Sequence, residues 1–173
     1  MTTWTAPTAH RVNEPQTGPE RAMLQGWLDW HRQTLLSKCA GLTADQLKQA
    51  TVEPSNLTLL GLVRHMTEVE RSWFIRRTAG DVTATEIYCT DDDPDGDFDG
   101  VADADAQADF ARFDEECAAC DRTVTDLPLE HEFTLRAKQY SLRWVYLHMI
   151  EEYARHNGHA DLIRERLDGE TGD

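Results

Sequence analysis

Nothing in the 173 residues approaches a run of about 20 apolar side chains, the length a helix needs to cross a bilayer. The opening Met1-Thr-Thr-Trp-Thr-Ala-Pro7 also lacks the basic-then-apolar order of a secretory leader. A cytoplasmic protein without a membrane partner is therefore expected. Cysteine is scarce: Cys39 and Cys89 stand alone and Cys117-Ala-Ala-Cys120 is the one close pair, which argues against a disulfide framework. Basic residues are few, 17 Lys and Arg against 32 Asp and Glu, for a formal net charge of -15. Binding to nucleic acid depends on cations that displace counterions, so no nucleic-acid partner is expected. No phosphate-binding glycine loop, no GxGxxG, no GxSxG and no HExxH occurs.

The shortage of cations becomes absolute between Thr78 and Ala111, where no Lys or Arg stands. The same stretch holds Asp81, Glu86, Asp91, Asp92, Asp93, Asp95, Asp97, Asp99, Asp103, Asp105 and Asp109. The acidity thus belongs to one connection and the start of the next element, and the rest of the surface is of ordinary mixed charge. Asp91-Asp-Asp93-Pro-Asp95-Gly96 matches the opening of a calcium-binding loop, but position twelve is Ala102 instead of a bidentate Glu. A solvated acidic loop is the default reading, with weak cation binding left open.

What is present is helical periodicity. Pro19 to about Cys39 repeats Leu24, Trp27, Leu28, His31 and Leu35 at three and four. About Leu57 to Thr78 does the same with Leu59, Leu62, Met66, Val69 and Trp73, and Gly80 follows near its end. About Asp103 to Asp126 carries Phe110, Phe113, Cys117, Cys120 and Val124. The last helix begins after Ser141, a good N-cap, and runs to about Leu167 before Asp168-Gly169. No strand period competes, although Glu132 to Leu135 can be briefly extended. The expected fold is all-α, a four-helix bundle with a long acidic connection between helices two and three. Residues 19–167 form the bundle, 1–18 an extension that either trails loosely or wraps it, and 168–173 a tail. Leu42-Thr-Ala-Asp-Gln-Leu47 adds a short helical turn between the first two long helices.

The chemistry concentrates on the last helix. His148, Glu152, His156 and His159 share one stripe there, beside Val145, Met149 and Ile163. Four titratable groups on a core-facing stripe are costly unless something pairs with them. His65, alone among apolar residues on the second helix, completes a set with Glu152 and His156: two imidazoles and one carboxylate, which leave open positions on a metal ion. His148 and His156 lie about 12 Å apart along the axis, too far to share one ion. His148 and His159 are better placed to touch substrate. The bland alternative keeps each residue as a locally satisfied helix side chain, with His65 a hydrogen-bonded core histidine. Cys117 and Cys120, on the apolar stripe of the third helix and without a basic flank, are read as core packing.

The run from Ser141 through His148, Glu152, His156, His159 and Arg164 to Gly169 resembles the DinB-like superfamily, and within it the actinobacterial branch that includes mycothiol S-transferases. The resemblance extends over helix one, the His65 helix and the Asp91–Asp95 connection. It implies a DinB-like bundle holding zinc or nickel on His65, Glu152 and His156. Glu152 stands where much of the superfamily has histidine, as in mycothiol-dependent maleylpyruvate isomerases. The implied activity is transfer of a low-molecular-weight thiol, activated on the metal, to an electrophile in detoxification. In that scheme His148 or His159 orients the thiol or moves a proton, and Tyr153 and Arg155 are weaker candidates for binding it. A thiol-dependent isomerase, a metallohydrolase and a non-enzymatic metal-binding stress protein remain alternatives on the same residues. A homodimer is left open.

Overall fold

The computed structural model describes residues 3–172. The protein is mostly helical, with one small two-stranded sheet. Helix α1 spans Glu20–Cys39 and lies along the last helix. Pro19 takes its N-cap position, and Leu28, Leu35 and Cys39 are buried on the inward side. Helix α2, Ala44–Leu47, is the short expected turn, closed by a capping box between Thr43 and Gln46.

Helix α3 spans Leu59–Glu70 and is capped where Thr58 Oγ1 accepts from Gly61 N at 2.9 Å. It continues as a π-helical segment over Arg71–Thr78, and the Ala79 amide that follows donates five residues back to the Phe74 carbonyl. Helix α4, Gly96–Asp99, is a single turn inside the acidic connection. Helix α5, Ala106–Val124, starts where Asp105 Oδ1 accepts from Ala108 N and packs against α3 and the π segment. Helix α6, Leu142–Asp168, starts at Ser141, whose Oγ accepts from Trp144 N, and stops at Gly169 in the left-handed region, φ 84°. It packs against both α1 and α3.

The expectation of no regular strand needs correction. Strands β1, Glu132–Leu135, and β2, Lys138–Ser141, form an antiparallel hairpin with Glu132 opposite Ser141 and Leu135 opposite Lys138. Its two-residue turn puts both Arg136 and Ala137 at positive φ, as a tight hairpin requires. Aromatic contacts hold it: Phe133 stacks on Tyr140 within the hairpin, Tyr140 meets Trp144 edge-on at 4.7 Å, and Trp73 of the π segment reaches Tyr140 at 6.1 Å. Of the two arrangements open for the N-terminal extension, the described part wraps. Ala6 N donates to Leu42 O, Gly41 N donates to Ala6 O, and Trp4 meets Phe110 edge-on.

A deep polar network crosses the apolar core between three helices. Arg32 of α1 makes a two-pronged ion pair with Glu70 of α3, both contacts at 2.7 Å, and Tyr153 of α6 donates its hydroxyl to Glu70 Oε1 at 2.9 Å. Three helices thus share one fully enclosed carboxylate. Cys117 and Cys120 pack in this core as expected, and burial raises both thiols well out of the reactive range. Burial also pushes the Cys39 thiol up to about 12. Among the described residues no helix is long and apolar enough to cross a membrane.

Candidate metal centre

The site is built where α6 passes the middle of α3. One helical face of α6 carries His148, Glu152, His156 and His159 along the edge of the core, with Val145 and Met149 fully buried beside them. Glu152 sits between two imidazoles: its Oε1 is 3.6 Å from His148 Nε2 and its Oε2 3.6 Å from His156 Nε2. Neither separation is a hydrogen bond, and the carboxylate has no other donor among the described residues. His156 is engaged on its other nitrogen, Nδ1, which lies 3.4 Å from His159 Nδ1.

Helix α3 brings His65 to the same place, its ring centroid 4.8 Å from that of His156. His65 Nδ1 is 2.7 Å from Asp97 Oδ2. An ionised carboxylate only accepts, so Nδ1 is the donor and Nε2 is left for another partner. His156 is held well below the ordinary histidine range, at about 4, chiefly by burial and then by the neighbouring His65, His159 and Arg155. Near neutral pH it is an uncharged ring with a lone pair, the state a metal ligand requires.

Pairwise contacts therefore link His65 to His156 and His156 to Glu152. A second grouping is tighter: single ligand atoms from His148, Glu151 and Glu152 all lie within 4.8 Å of one another. The two groupings share Glu152 and differ in quality. Glu151 is largely exposed and already ion-paired with Arg155, whereas His65 and His156 are both half-buried imidazoles with their Nδ1 atoms occupied. The donor chemistry favours His65, Glu152 and His156, with His148 flanking. A carboxylate without a hydrogen bond between two imidazoles fits a divalent cation.

The two expected thiol contacts lie in different surroundings. Tyr153 is fully buried on a different face of α6 with its hydroxyl given to Glu70, because position 153 turns about 100° away from position 152. Arg155 is exposed at the rim.

Two groups of site residues are not legible in the sequence. One is Asp97, a single acid within an acidic run, distinguished by its tertiary contact with His65. The other is an aromatic wall. His148 is wedged between Trp144, stacked on it at 4.7 Å and 15°, and Trp73, edge-on at 4.7 Å, while the Arg77 guanidinium covers Trp73 at 4.3 Å. Trp73 reads as an ordinary apolar position of its helix; its place beside His148 depends on how α3 and α6 pack.

The half-buried histidine and carboxylate stripe on two packed helices goes with a family match that places the chain in the DinB-like superfamily. Within it, the model of the mycothiol S-transferase family matches residues 23–169, and the chain belongs to that family. No curated protein and no solved structure matches the chain.

Proposed function

We propose that the protein is a divalent-metal-dependent thiol S-transferase of the DinB-like four-helix type, in which His65, Glu152 and His156 hold the ion. The observation that carries this reading is the Glu152 carboxylate, placed without a hydrogen-bond donor 3.6 Å from His148 Nε2 and from His156 Nε2. Family membership supplies the thiol, mycothiol. Two nitrogens and one oxygen suit zinc first and nickel next, and three protein ligands leave room for a sulfur.

When bound, the ion supplies positive charge that favours thiolate over thiol. The chain's own residues do the rest. His148, its ring fixed by Trp73 and Trp144, is placed to take the proton that the thiol loses. The sulfur then forms its bond to the electrophilic carbon, and the leaving group departs with the bonding pair. His159 donates to or accepts from His156 Nδ1 and so fixes which way that ring faces. Arg155 at the rim is the remaining contact for the polar end of the thiol. The aromatic wall excludes water and offers a flat apolar surface to the electrophile.

The test is elemental analysis of tag-free protein followed by a transfer assay with mycothiol and an activated aryl halide. About one zinc or nickel per chain is expected, lost in a Glu152→Ala, His156→Ala double variant together with thiol transfer. Absence of metal in the wild type, with no uptake of added zinc, would sink the metal-dependent reading. Ester hydrolysis that needs metal and no thiol would replace transfer with hydrolysis.

A further inference from the structure

We propose that Asp97 is a positioning residue for the metal centre: its buried carboxylate holds the proton of His65 on Nδ1 and thereby keeps Nε2 as the ligand atom. The proposal rests on His65 being a ligand, as above. It gives the acidic connection a specific task, to deliver one of its many carboxylates to one imidazole.

The contact is short, 2.7 Å between His65 Nδ1 and Asp97 Oδ2, and Asp97 is itself only 4% exposed. Its second oxygen, Oδ1, accepts from the Phe98 amide at 3.0 Å, which fixes the plane of the carboxylate. A neutral imidazole has one proton to place, and a buried acceptor at Nδ1 decides where it goes.

Helix α3 grips the connection on either side of His65. Arg64 donates from Nε to Asp97 O at 2.8 Å and from Nη2 to Gly96 O at 2.9 Å. Glu68, one turn on, accepts at Oε2 from the amides of Ile87 and Tyr88. Arg64 is fixed in turn by Asp109 and lies 4.0 Å over the Tyr88 ring. The approach is close enough that a side chain at Gly61 would come within 2.7 Å of the Phe98 ring. Phe98 in turn packs on His65, ring centroids 5.2 Å apart. Carboxylate, ring and backbone are thus all braced, the condition under which an outer carboxylate sets the direction and basicity of a ligand histidine.

The experiment uses the full-length protein. Nitrogen-15 NMR of metal-free wild type at about pH 8, above the ordinary histidine range, reads the His65 tautomer. Chelator competition with zinc alone then reads affinity for wild type and Asp97→Asn, which keeps the size of the side chain. The proton on Nδ1 in wild type, its redistribution in the variant, and zinc binding weakened roughly 10- to 100-fold are expected. A proton on Nε2 in wild type would overturn the proposal whether or not the variant folds. So would a variant that changes tautomer yet binds zinc as tightly as wild type. Wild type with the expected tautomer but no zinc binding would overturn both this proposal and the metal reading beneath it, and the wild-type titration alone tells that result from the others.

Discussion

Glu70 on α3 and Glu152 on α6 belong to two helices that pack together, yet they live in opposite conditions. Glu70 is completely enclosed and accepts three hydrogen bonds, two from Arg32 and one from Tyr153. Glu152, adjacent to Tyr153 in sequence and 20% exposed, accepts none from the described residues. A carboxylate whose charge is fully answered by the protein serves the fold. One left between two imidazoles without a donor is the carboxylate that the proposed ion would answer. The contrast separates structural from functional acidity more sharply than burial alone, because both carboxylates are on packed helices.

The largest break of this comparison is expected from Glu70→Ala. It strands the Arg32 guanidinium in the core and should cost about 3–5 kcal/mol in chemical denaturation of the metal-free protein. Glu152→Ala under the same conditions should cost less than about 1 kcal/mol, as only unbonded contacts are lost. Equal losses would erase the distinction. Next in size is zinc itself, which at a hundredfold excess over its dissociation constant should stabilise wild type by about 2.7 kcal/mol. Glu152→Ala should abolish that shift, measured as the change in Tm with and without zinc. If the shift survives, the open carboxylate is not the metal's.

A pH-dependent effect follows from His156. Its pKa is about 4 in the folded chain and about 6.5 when unfolded, so between those values the unfolded state binds more protons. Metal-free stability should therefore rise with pH from about 4 to about 6.5 and be free of this contribution's pH dependence above. His156→Gln should flatten that part of the profile, and an unchanged profile would show the ring to be more solvated than its packing implies. Smallest of all, Arg77→Ala uncovers one face of Trp73 and is expected to raise KM for an aromatic electrophile severalfold with kcat little changed, a loss of about 1 kcal/mol. An equal fall in kcat would move Arg77 into the reacting geometry.

How much of this is legible in the sequence depends on whether the signal is local. Helix α6 can be placed at both ends because Ser141 and Gly169 cap it with their own side chain and backbone. The stripe on it follows from spacing alone. The second strand of the hairpin, Lys138–Ser141, carries no turn signature: Arg136-Ala137 takes left-handed backbone without glycine or asparagine, and aromatic packing within the hairpin and from Trp73 and Trp144 accompanies the pairing. The π segment over Arg71–Thr78 is likewise silent in an apolar pattern that looks helical throughout. Asp97 is the clearest case. Ten other acids share its stretch of chain, and what singles it out, Arg64, Gly61 and Glu68 drawing the connection onto α3, is tertiary. Tyr153 errs the other way, since proximity in sequence to Glu152 says nothing about which side of the helix it takes.

The two indoles that clasp His148 also give the protein an optical voice at its own centre. Indole emission responds to nearby imidazole charge and to displaced water, so Trp73 and Trp144 report on arrivals at Glu152 without any attached dye. Trp4 lies against Phe110, and Trp27 and Trp30 pair with each other on α1. With those three replaced by phenylalanine, the remaining fluorescence becomes a private channel through which the filling of the site can be watched in real time.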